Sequence, residues 1–342
     1  MDRVLIVRLG ALGDIVHAIP VAAALRRAFP AARIDWLVSA KHRELLNLVP
    51  VIDRRLAIAA RGGRSLVRAI GELRRARYDV ALDLQGLLKS AVLARSSGAP
   101  RVIGFASSYL RERLARPFYT DVYDPGCGGL YDPRETRHVI EINLGLLGPL
   151  GVDVKWPEFP IDQVDSDVAR AVRDRTGGRY ALLNPGAQWP NKRWPPVRLA
   201  RVADALRERH GLTSMVLWGP GEQSLAQEVV SRGNGSALVL PAATIGDVVA
   251  LARGAALMLS GDTGPMHIAA AVGTPVVALF GPTRPSRNGP WSPSDVTVSR
   301  DAVCQCHHLR RCRLETMCLL DVQADEVLAA IERRLAVASG HV

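Results

Sequence analysis

The sequence is short of the features that mark several large protein classes. Its 342 residues include only 5 cysteines, 5 phenylalanines and 6 tyrosines. So few cysteines argue against a fold built on disulfides. So few aromatics argue against the stacking surfaces of single-strand nucleic-acid binders, and no RNA- or DNA-binding motif is recognisable. No apolar run reaches the roughly 20 residues of a membrane-spanning helix. The stretch from His267 to Phe280 comes nearest, and Gly273 and Pro275 divide it. A secretory leader pattern is also missing, because charges at Arg3, Arg8 and Asp14 break up the first apolar residues. The expectation is a protein kept in the cytoplasm.

What is present is the mix of a soluble globular chain, 48% hydrophobic and 23% charged, long enough for two domains. The net charge of +11 is unevenly spread. Residues 1–150 hold 23 Lys and Arg against 14 Asp and Glu, a balance of +9, whereas residues 151–342 hold 21 against 19, a balance of +2. Such asymmetry suggests that the first half meets something anionic: a phosphorylated glycolipid, a membrane surface or nucleic acid. The plainer alternative is that arginines coat solvated helix faces. Arg64, Arg68 and Arg75 fit it, on a helix whose other face carries Val67, Ile70 and Leu73.

Short β-rich runs alternate with helical periods throughout, the pattern of parallel sheets with helices on both faces. Arg3–Arg8, Arg33–Val38, Val80–Leu84 and Arg101–Gly104 read as strands in the first half, with a helix over Val16–Ala28 after the first of them. Pro149 to Asp165 holds three prolines and no sustained period, and reads as a linker. A second series of strands follows at Tyr180–Leu183, Ser214–Leu217, Leu238–Leu240, Leu257–Ser260 and Val276–Phe280. The expected division is a Rossmann-like domain over 1–155, a second over 156–323, and a closing helix over 324–342 that packs back toward the first. Val80–Phe105 and Ala256–Gly281 share one design of strand, Gly-containing turn, small-residue helix, G-[AT]-P and strand. That echo supports two doubly wound domains facing across a cleft. Ligands of such sheets lie at the carboxyl ends of the strands, which places Asp14, Gln85, Asn184, Gly219 and Asp262 around one crevice.

The first loop, Gly10-Ala-Leu-Gly13-Asp14, is only G-x-x-G and falls short of the dinucleotide fingerprint. Asp14 either caps the following helix or reaches into the crevice. The loop Ser260-Gly-Asp262-Thr263-Gly264-Pro-Met-His267 is more specific, since free amides at a helix start bind phosphate. There Thr263 and Gly264 would supply amides, Asp262 would accept from sugar hydroxyls, and His267 would sit on the first turn. In Asn184-Pro-Gly-Ala-Gln-Trp-Pro-Asn-Lys192-Arg-Trp-Pro, a lysine among tryptophans and prolines is placed to neutralise a diphosphate. Trp218-Gly-Pro-Gly-Glu222 offers a carboxylate to ribose hydroxyls, or a helix cap. Together the loops suit glycosyl transfer, with a diphosphate leaving while a base takes the proton of an incoming hydroxyl. Lysine and helix amides can stabilise the leaving charge, so no metal is required. Asp165-Ser-Asp167 has the D-x-D form of metal-dependent transferases, but it precedes a helix and reads as capping.

LIVRLGALGDIVHAIP, ALDLQGLLKSA, NPGAQWPNKRWP and SGDTGPMHIAAAVGTPVVALFGPT resemble glycosyltransferase family nine, the bacterial heptosyltransferases of lipopolysaccharide assembly. The resemblance runs from Arg3 to about Pro290, and the first half is most similar to the branch that adds the first heptose to Kdo, heptosyltransferase I. It implies a GT-B fold, an inverting mechanism, an ADP-heptose type donor and a lipid-linked inner-core acceptor at the inner leaflet. By position, Asp14 looks like the general base, Lys192 the diphosphate lysine, and Asp262, Thr263, Gly264 and His267 the donor loop. Glu222 looks like a ribose or nucleoside contact. The acceptor-side loop then comprises Gly10, Gly13, His17 and Gln85, and the two domains become acceptor-binding and donor-binding. Contact with the inner membrane would be peripheral, and no nucleic acid is a partner.

Two features depart from the family pattern. Ala187 and Gln188 stand where that branch often has hydroxyl residues. Near the carboxyl end, Cys304, Cys306, Cys312 and Cys318, with His307 and His308 in reserve, can supply four thiolates for a structural zinc or iron. Buried free thiols are the plain alternative. Two rival functions remain at this level, a GT-B nucleotide-sugar epimerase that needs no acceptor, and a basic nucleic-acid-binding protein.

Overall fold

The computed structural model describes residues 1–59, 63–126, 128–132, 134–307, 309–312 and 317–340, with 63–66 and 339 described by backbone alone. His308 and the Arg64 side chain lie outside the described residues. The chain divides into two compact units, Met1–Asp162 and Gln163–Val342. The break falls within the proline-bearing stretch read as a linker, somewhat beyond residue 155.

The first unit runs β1 (Arg3–Val7), α1 (Leu12–Val16), α2 (Ile19–Ala28), β2 (Arg33–Ser39), α3 (Arg43–Asn47), β3 (Arg54–Ile58), α4 (Gly63–Ala76), β4 (Val80–Asp83), α5 (Leu88–Ser96), β5 (Arg101–Phe105), β6 (Asp121–Tyr123) and α6 (Val139–Gly145). The strands form one sheet in the order β3-β2-β1-β4-β5-β6. Every ladder is parallel. Central strands are apolar almost throughout, as in Val4-Leu5-Ile6-Val7, because helices cover both faces and leave no polar side to alternate with.

The second unit runs α7 (Asp167–Thr176), β7 (Tyr180–Asn184), α8 (Pro196–His210), β8 (Thr213–Val216), α9 (Gln223–Arg232), β9 (Ala237–Val239), α10 (Ile245–Gly254), β10 (Leu257–Gly261), α11 (Gly264–Ala271), β11 (Val276–Phe280), α12 (Pro285–Asn288), β12 (Val296–Ser299) and α13 (Ala324–Ser339). Its parallel sheet has the order β9-β8-β7-β10-β11-β12. Counted within each unit, both sheets therefore follow 3-2-1-4-5-6, the dinucleotide-fold order. Strand order reverses between β1 and β4 in one sheet and between β7 and β10 in the other, and ligands of such sheets lie at that point.

Several expectations change on contact with the structure. The helix read over Val16–Ala28 is two helices, with Leu12–Val16 closing at His17 and a second starting at Ile19-Pro20. β3, β6 and β12 were not expected as strands. Val67 is 71% exposed although it was assigned to the buried face of α4, while Leu73 of that face is fully buried. Ser166 caps α7 through Oγ, and Asp165 and Asp167 both engage Arg170, so the D-x-D sequence is a helix start. Within the second unit the closing helix α13 packs on α8, β11 and β12. It is pinned there by the buried Arg334–Asp295 pair at 2.7 Å.

Candidate functional site

In the first unit, the loop after β1 meets the loop after β4. Gln85 Oε1 accepts a hydrogen bond from the Leu9 amide at 2.7 Å, tying the two chain turns together. Asp83, at the end of β4, is fully buried and accepts from the amides of Gln85 and Gly86 and from the hydroxyls of Ser90 and Tyr119. Burial pushes its carboxyl up from the ordinary value against those four donors. Asp83 thus fixes the turn that carries Gln85.

Asp14 sits in the first turn of α1, where Oδ2 accepts from the Ala11 amide at 3.0 Å. The same oxygen lies 2.8 Å from Arg8 Nη2. Arg8 also donates to the Leu84 carbonyl, so it spans the two loops. Asp14 is therefore a cap, and yet its side chain stays 39% exposed, enough to meet a ligand. Gly10 abuts His42, whose ring a Cβ would approach to 3.0 Å. His17 is buried, its ring edge-on to His138 at 5.4 Å and its carbonyl bonded to Asn143 Nδ2, so it belongs to the packing of this unit.

A hollow of about 660 Å³ lies at the other, amino end of this sheet, lined by Arg26, Arg33, Asp53 and Arg54. Arg26 is paired with Asp53, Arg33 with Asp35 and Arg54 with Glu72. The three arginines of this hollow are therefore each paired with a carboxylate.

In the second unit, three loops gather at the carboxyl ends of β7, β10 and β11. Asp262 follows β10 and is buried. Its Oδ2 lies 2.6 Å from Lys192 Nζ and accepts from Thr283 Oγ1 at 2.7 Å, while Oδ1 lies 3.0 Å from His267 Nε2. Burial would raise this carboxyl, but the charge of Lys192 and the bond to His267 overcome it and hold it far below the ordinary range. Asp262 was expected to accept from sugar hydroxyls. Its oxygens already meet three protein groups, and through them Asp262 orients Lys192 and His267.

Lys192 ends a short turn, Pro190–Lys192, and its ammonium also sits 4.6 Å from the centroid of the Trp189 ring. Gly261 packs against this turn so closely that a Cβ would lie 2.6 Å from the Lys192 carbonyl oxygen. Thr263 is the residue before α11, and its Oγ1 meets Asn184 Nδ2 and Ser260 Oγ, each at 3.0 Å. Gly264 then opens the helix with Pro265 behind it, leaving the first amides without helical partners. Glu222 Oε2 accepts from the Gly219 amide at 3.2 Å, and Oε1 lies 3.5 Å from Arg193 Nη2. A Cβ at Gly186 would strike Glu222 Oε2, so the glycine after Asn184-Pro185 is needed for that approach.

The second-unit residues singled out from sequence are thus brought to one end of one sheet, and so are Asp14 and Gln85 in the first. Sequence reasoning missed Arg8, Thr283 and Arg193. Arg8 and Thr283 directly follow or closely follow strand ends, so the carboxyl-end rule applied to β1 and β11 would have found them.

Cys304 and Cys306 are buried with Sγ atoms 3.5 Å apart, and Cys312 and Cys318 are half-buried free thiols. Burial, with the neighbouring thiols, pushes Cys306 up to about 12. Among the described residues no three or more His, Cys, Asp or Glu side chains already stand as a metal-holding group. Also among them, no helix is long and apolar enough to cross a membrane.

Two Rossmann-type sheets of equal strand order, with a lysine, a helix start and a carboxylate at their switch points, define a two-domain α/β protein of the GT-B fold. Residues 66–318 match the family model described as glycosyltransferase family 9 (heptosyltransferase), and the chain belongs to that family. It is 30% identical over 312 residues to lipopolysaccharide heptosyltransferase 1 of Pseudomonas aeruginosa, covering 88% of this chain and 85% of that one. Among solved structures, a family 9 glycosyltransferase of Veillonella parvula superposes with a TM-score of 0.80 at 23% identity, over 98% of this chain and 97% of that one. The Escherichia coli heptosyltransferase WaaC with ADP gives 0.77 at 23% identity, over 97% and 99%. The chain is a glycosyltransferase, and neither rival function is favoured.

Proposed function

We propose that this transferase moves a heptose from an ADP-heptose type donor to a Kdo-containing inner-core acceptor of lipopolysaccharide, with inversion at the anomeric carbon and without a catalytic metal. The observation that carries the donor half is the Lys192–Asp262–His267 cluster beside the open amides of α11. Support for the sugar comes from the heptosyltransferase 1 relative, and support for the adenine nucleotide from the ADP in the WaaC structure.

In this reading the donor diphosphate takes the α11 amides and the Lys192 ammonium. Glu222 serves the ribose side. Asp14 accepts the proton of the acceptor hydroxyl as its oxygen attacks the anomeric carbon from the face opposite the diphosphate. The bond from that carbon to the diphosphate oxygen breaks, its electron pair leaves with ADP, and the proton remains on Asp14. Lys192 and the helix amides stabilise the charge on the departing diphosphate. The basic first unit attracts an acceptor that carries carboxylates and phosphates, at the cytoplasmic face of the inner membrane.

A thermal-shift titration with ADP, ADP-heptose, UDP-sugars and GDP-sugars, in wild type and Lys192→Ala, tests the donor assignment. A ligand that binds only the folded state raises the melting temperature according to its concentration over Kd. Selective stabilisation by the ADP ligands, lost in Lys192→Ala, is expected. A preference for UDP or GDP ligands would overturn the heptose assignment.

A further inference from the structure

We propose that Arg193 is a positioning residue of the donor site, holding the Glu222 carboxylate where it takes the ribose hydroxyls of the nucleotide. The inference rests on the reading of Glu222 as the ribose contact, and its test separates the two.

The placement follows from the strand order. β7 lies between β8 and β10 in its sheet, so the loop after β7 starts between the other two strand ends. Lys192 closes the short turn Pro190–Lys192, and Arg193 continues in extended backbone with φ −89° and ψ 128°. The two neighbouring side chains part there. Lys192 turns to Asp262, which follows β10, and Arg193 turns to Glu222, in the loop after β8. One turn thus sends a cation to each flanking loop, and the two cations meet two different carboxylates.

Arg193 is held from within its own loop. Its Nε donates to the Ala187 carbonyl at 2.9 Å, which fixes the plane of the guanidinium before any ligand arrives. Nη2 then lies 3.5 Å from Glu222 Oε1. On its other oxygen, Glu222 accepts from the Gly219 amide at 3.2 Å. Gly186 leaves room for that oxygen, because a Cβ there would strike it. The Glu222 side chain is 17% exposed, so it is enclosed by groups from two loops and still reaches solvent. A carboxylate has about four acceptor positions, and these contacts occupy one on each oxygen. What remains matches the adjacent hydroxyls of a ribose, a use that carboxylates also serve in dinucleotide folds.

Removing Arg193 leaves Glu222 with the Gly219 amide alone, and its carboxylate is then free to rotate. A lysine keeps the charge but lacks the planar fork that joins Ala187 to Glu222. The Lys192–Asp262 pair shares neither contact. Arg193 therefore acts on the nucleoside end of the donor and Lys192 on the diphosphate end.

The test is a calorimetric titration of the full chain with ADP, with deoxy-ADP, which lacks one ribose hydroxyl, and with inorganic pyrophosphate. Wild type should prefer ADP to deoxy-ADP by about tenfold, the size of one hydrogen bond to a charged group. Glu222→Gln and Arg193→Ala should both lose most of that preference, with pyrophosphate affinity unchanged. Arg193→Lys, which serves where the alanine variant fails to fold, should lose it too. A general loosening of the fold would weaken all three ligands alike and leave the preference intact. Arg193 variants that keep the wild-type preference, while Glu222→Gln loses it, would overturn the positioning role and leave the ribose contact standing. Equal losses of pyrophosphate and ADP affinity in those variants would make Arg193 a phosphate ligand and overturn it as well. If wild type shows no preference, or Glu222→Gln retains it, the ribose contact falls and the positioning role with it. A wild type that binds no ADP overturns the donor assignment and this role together.

Discussion

The Lys192 ammonium lies 2.6 Å from Asp262 Oδ2 inside the free protein, so the cation assigned to the diphosphate is already held by a buried carboxylate. A donor therefore joins an existing ion pair. Because one partner of a buried pair leaves the other uncompensated, Lys192→Ala should cost about 3–5 kcal/mol of folding stability. Lys192→Ala/Asp262→Ala should recover part of that loss, and urea denaturation of the four proteins in a double-mutant cycle measures it. Additive losses would show that the two side chains are not coupled.

Asp14→Asn keeps the shape of the side chain and its contact with the Ala11 amide cannot be kept by the nitrogen end. If Asp14 is the base, single-turnover transfer should fall by roughly 10²–10⁴-fold, with ADP affinity unchanged. Arg8→Gln removes the guanidinium that spans Asp14 and Leu84. It should lower the same rate by a smaller factor and leave ADP binding alone. Loss of ADP affinity in either variant would count against assigning this loop to the acceptor side.

Gly261→Ala tests the donor loop without touching a charged group. The added Cβ would stand 2.6 Å from the Lys192 carbonyl oxygen, a backbone atom that cannot swing away. Overpacking of this kind costs about 1–3 kcal/mol. The variant should melt earlier and bind ADP more weakly, both read in one calorimetric titration. Wild-type ADP affinity in a folded variant would mean that the turn is not set by this contact.

Glu135 gives a pH prediction. The Arg137 guanidinium, aided by Tyr109, holds its carboxyl down to about 2 although burial opposes this. A carboxyl depressed by folding contributes stability above its unfolded value, near 4.5, and loses it as the pH falls through the folded value. Glu135→Gln should therefore cost about 2 kcal/mol at neutral pH, the size of a charge-assisted hydrogen bond. Urea midpoints of wild type and variant should converge between pH 4.5 and about 2. Parallel curves across that range would remove Glu135 from the acid transition.

Much of this architecture was legible from residues. Central strands such as β1, β7 and β10 are buried on both faces and announce themselves as apolar runs. The three unexpected strands, β3, β6 and β12, all sit at sheet edges, where one side has no neighbour and polar residues are tolerated. Arg54-Arg55 and Asp121 therefore obscured them. The candidate loops were found because parallel sheets place ligands at strand ends. Side-chain roles were less legible. That Asp262 faces Lys192 and Thr283 depends on residues brought together by strand pairing, whereas His267 and Arg8 lie in the same loops as the carboxylates they meet and only the fold of each loop turns them inward.

The wholly parallel ladders also govern how the molecule is made. β1 cannot complete its pairing until β2, β3 and α4 have been synthesised and β4 arrives, and β7 waits in the same way for β10. Long loops must close before these contacts repay them, which slows folding and leaves sheet edges open in the meantime. Because each unit closes its own sheet, the first can finish on the ribosome before the second has emerged. The Asp14 loop can acquire its bonds to Arg8 and Gln85 before Lys192 has been translated.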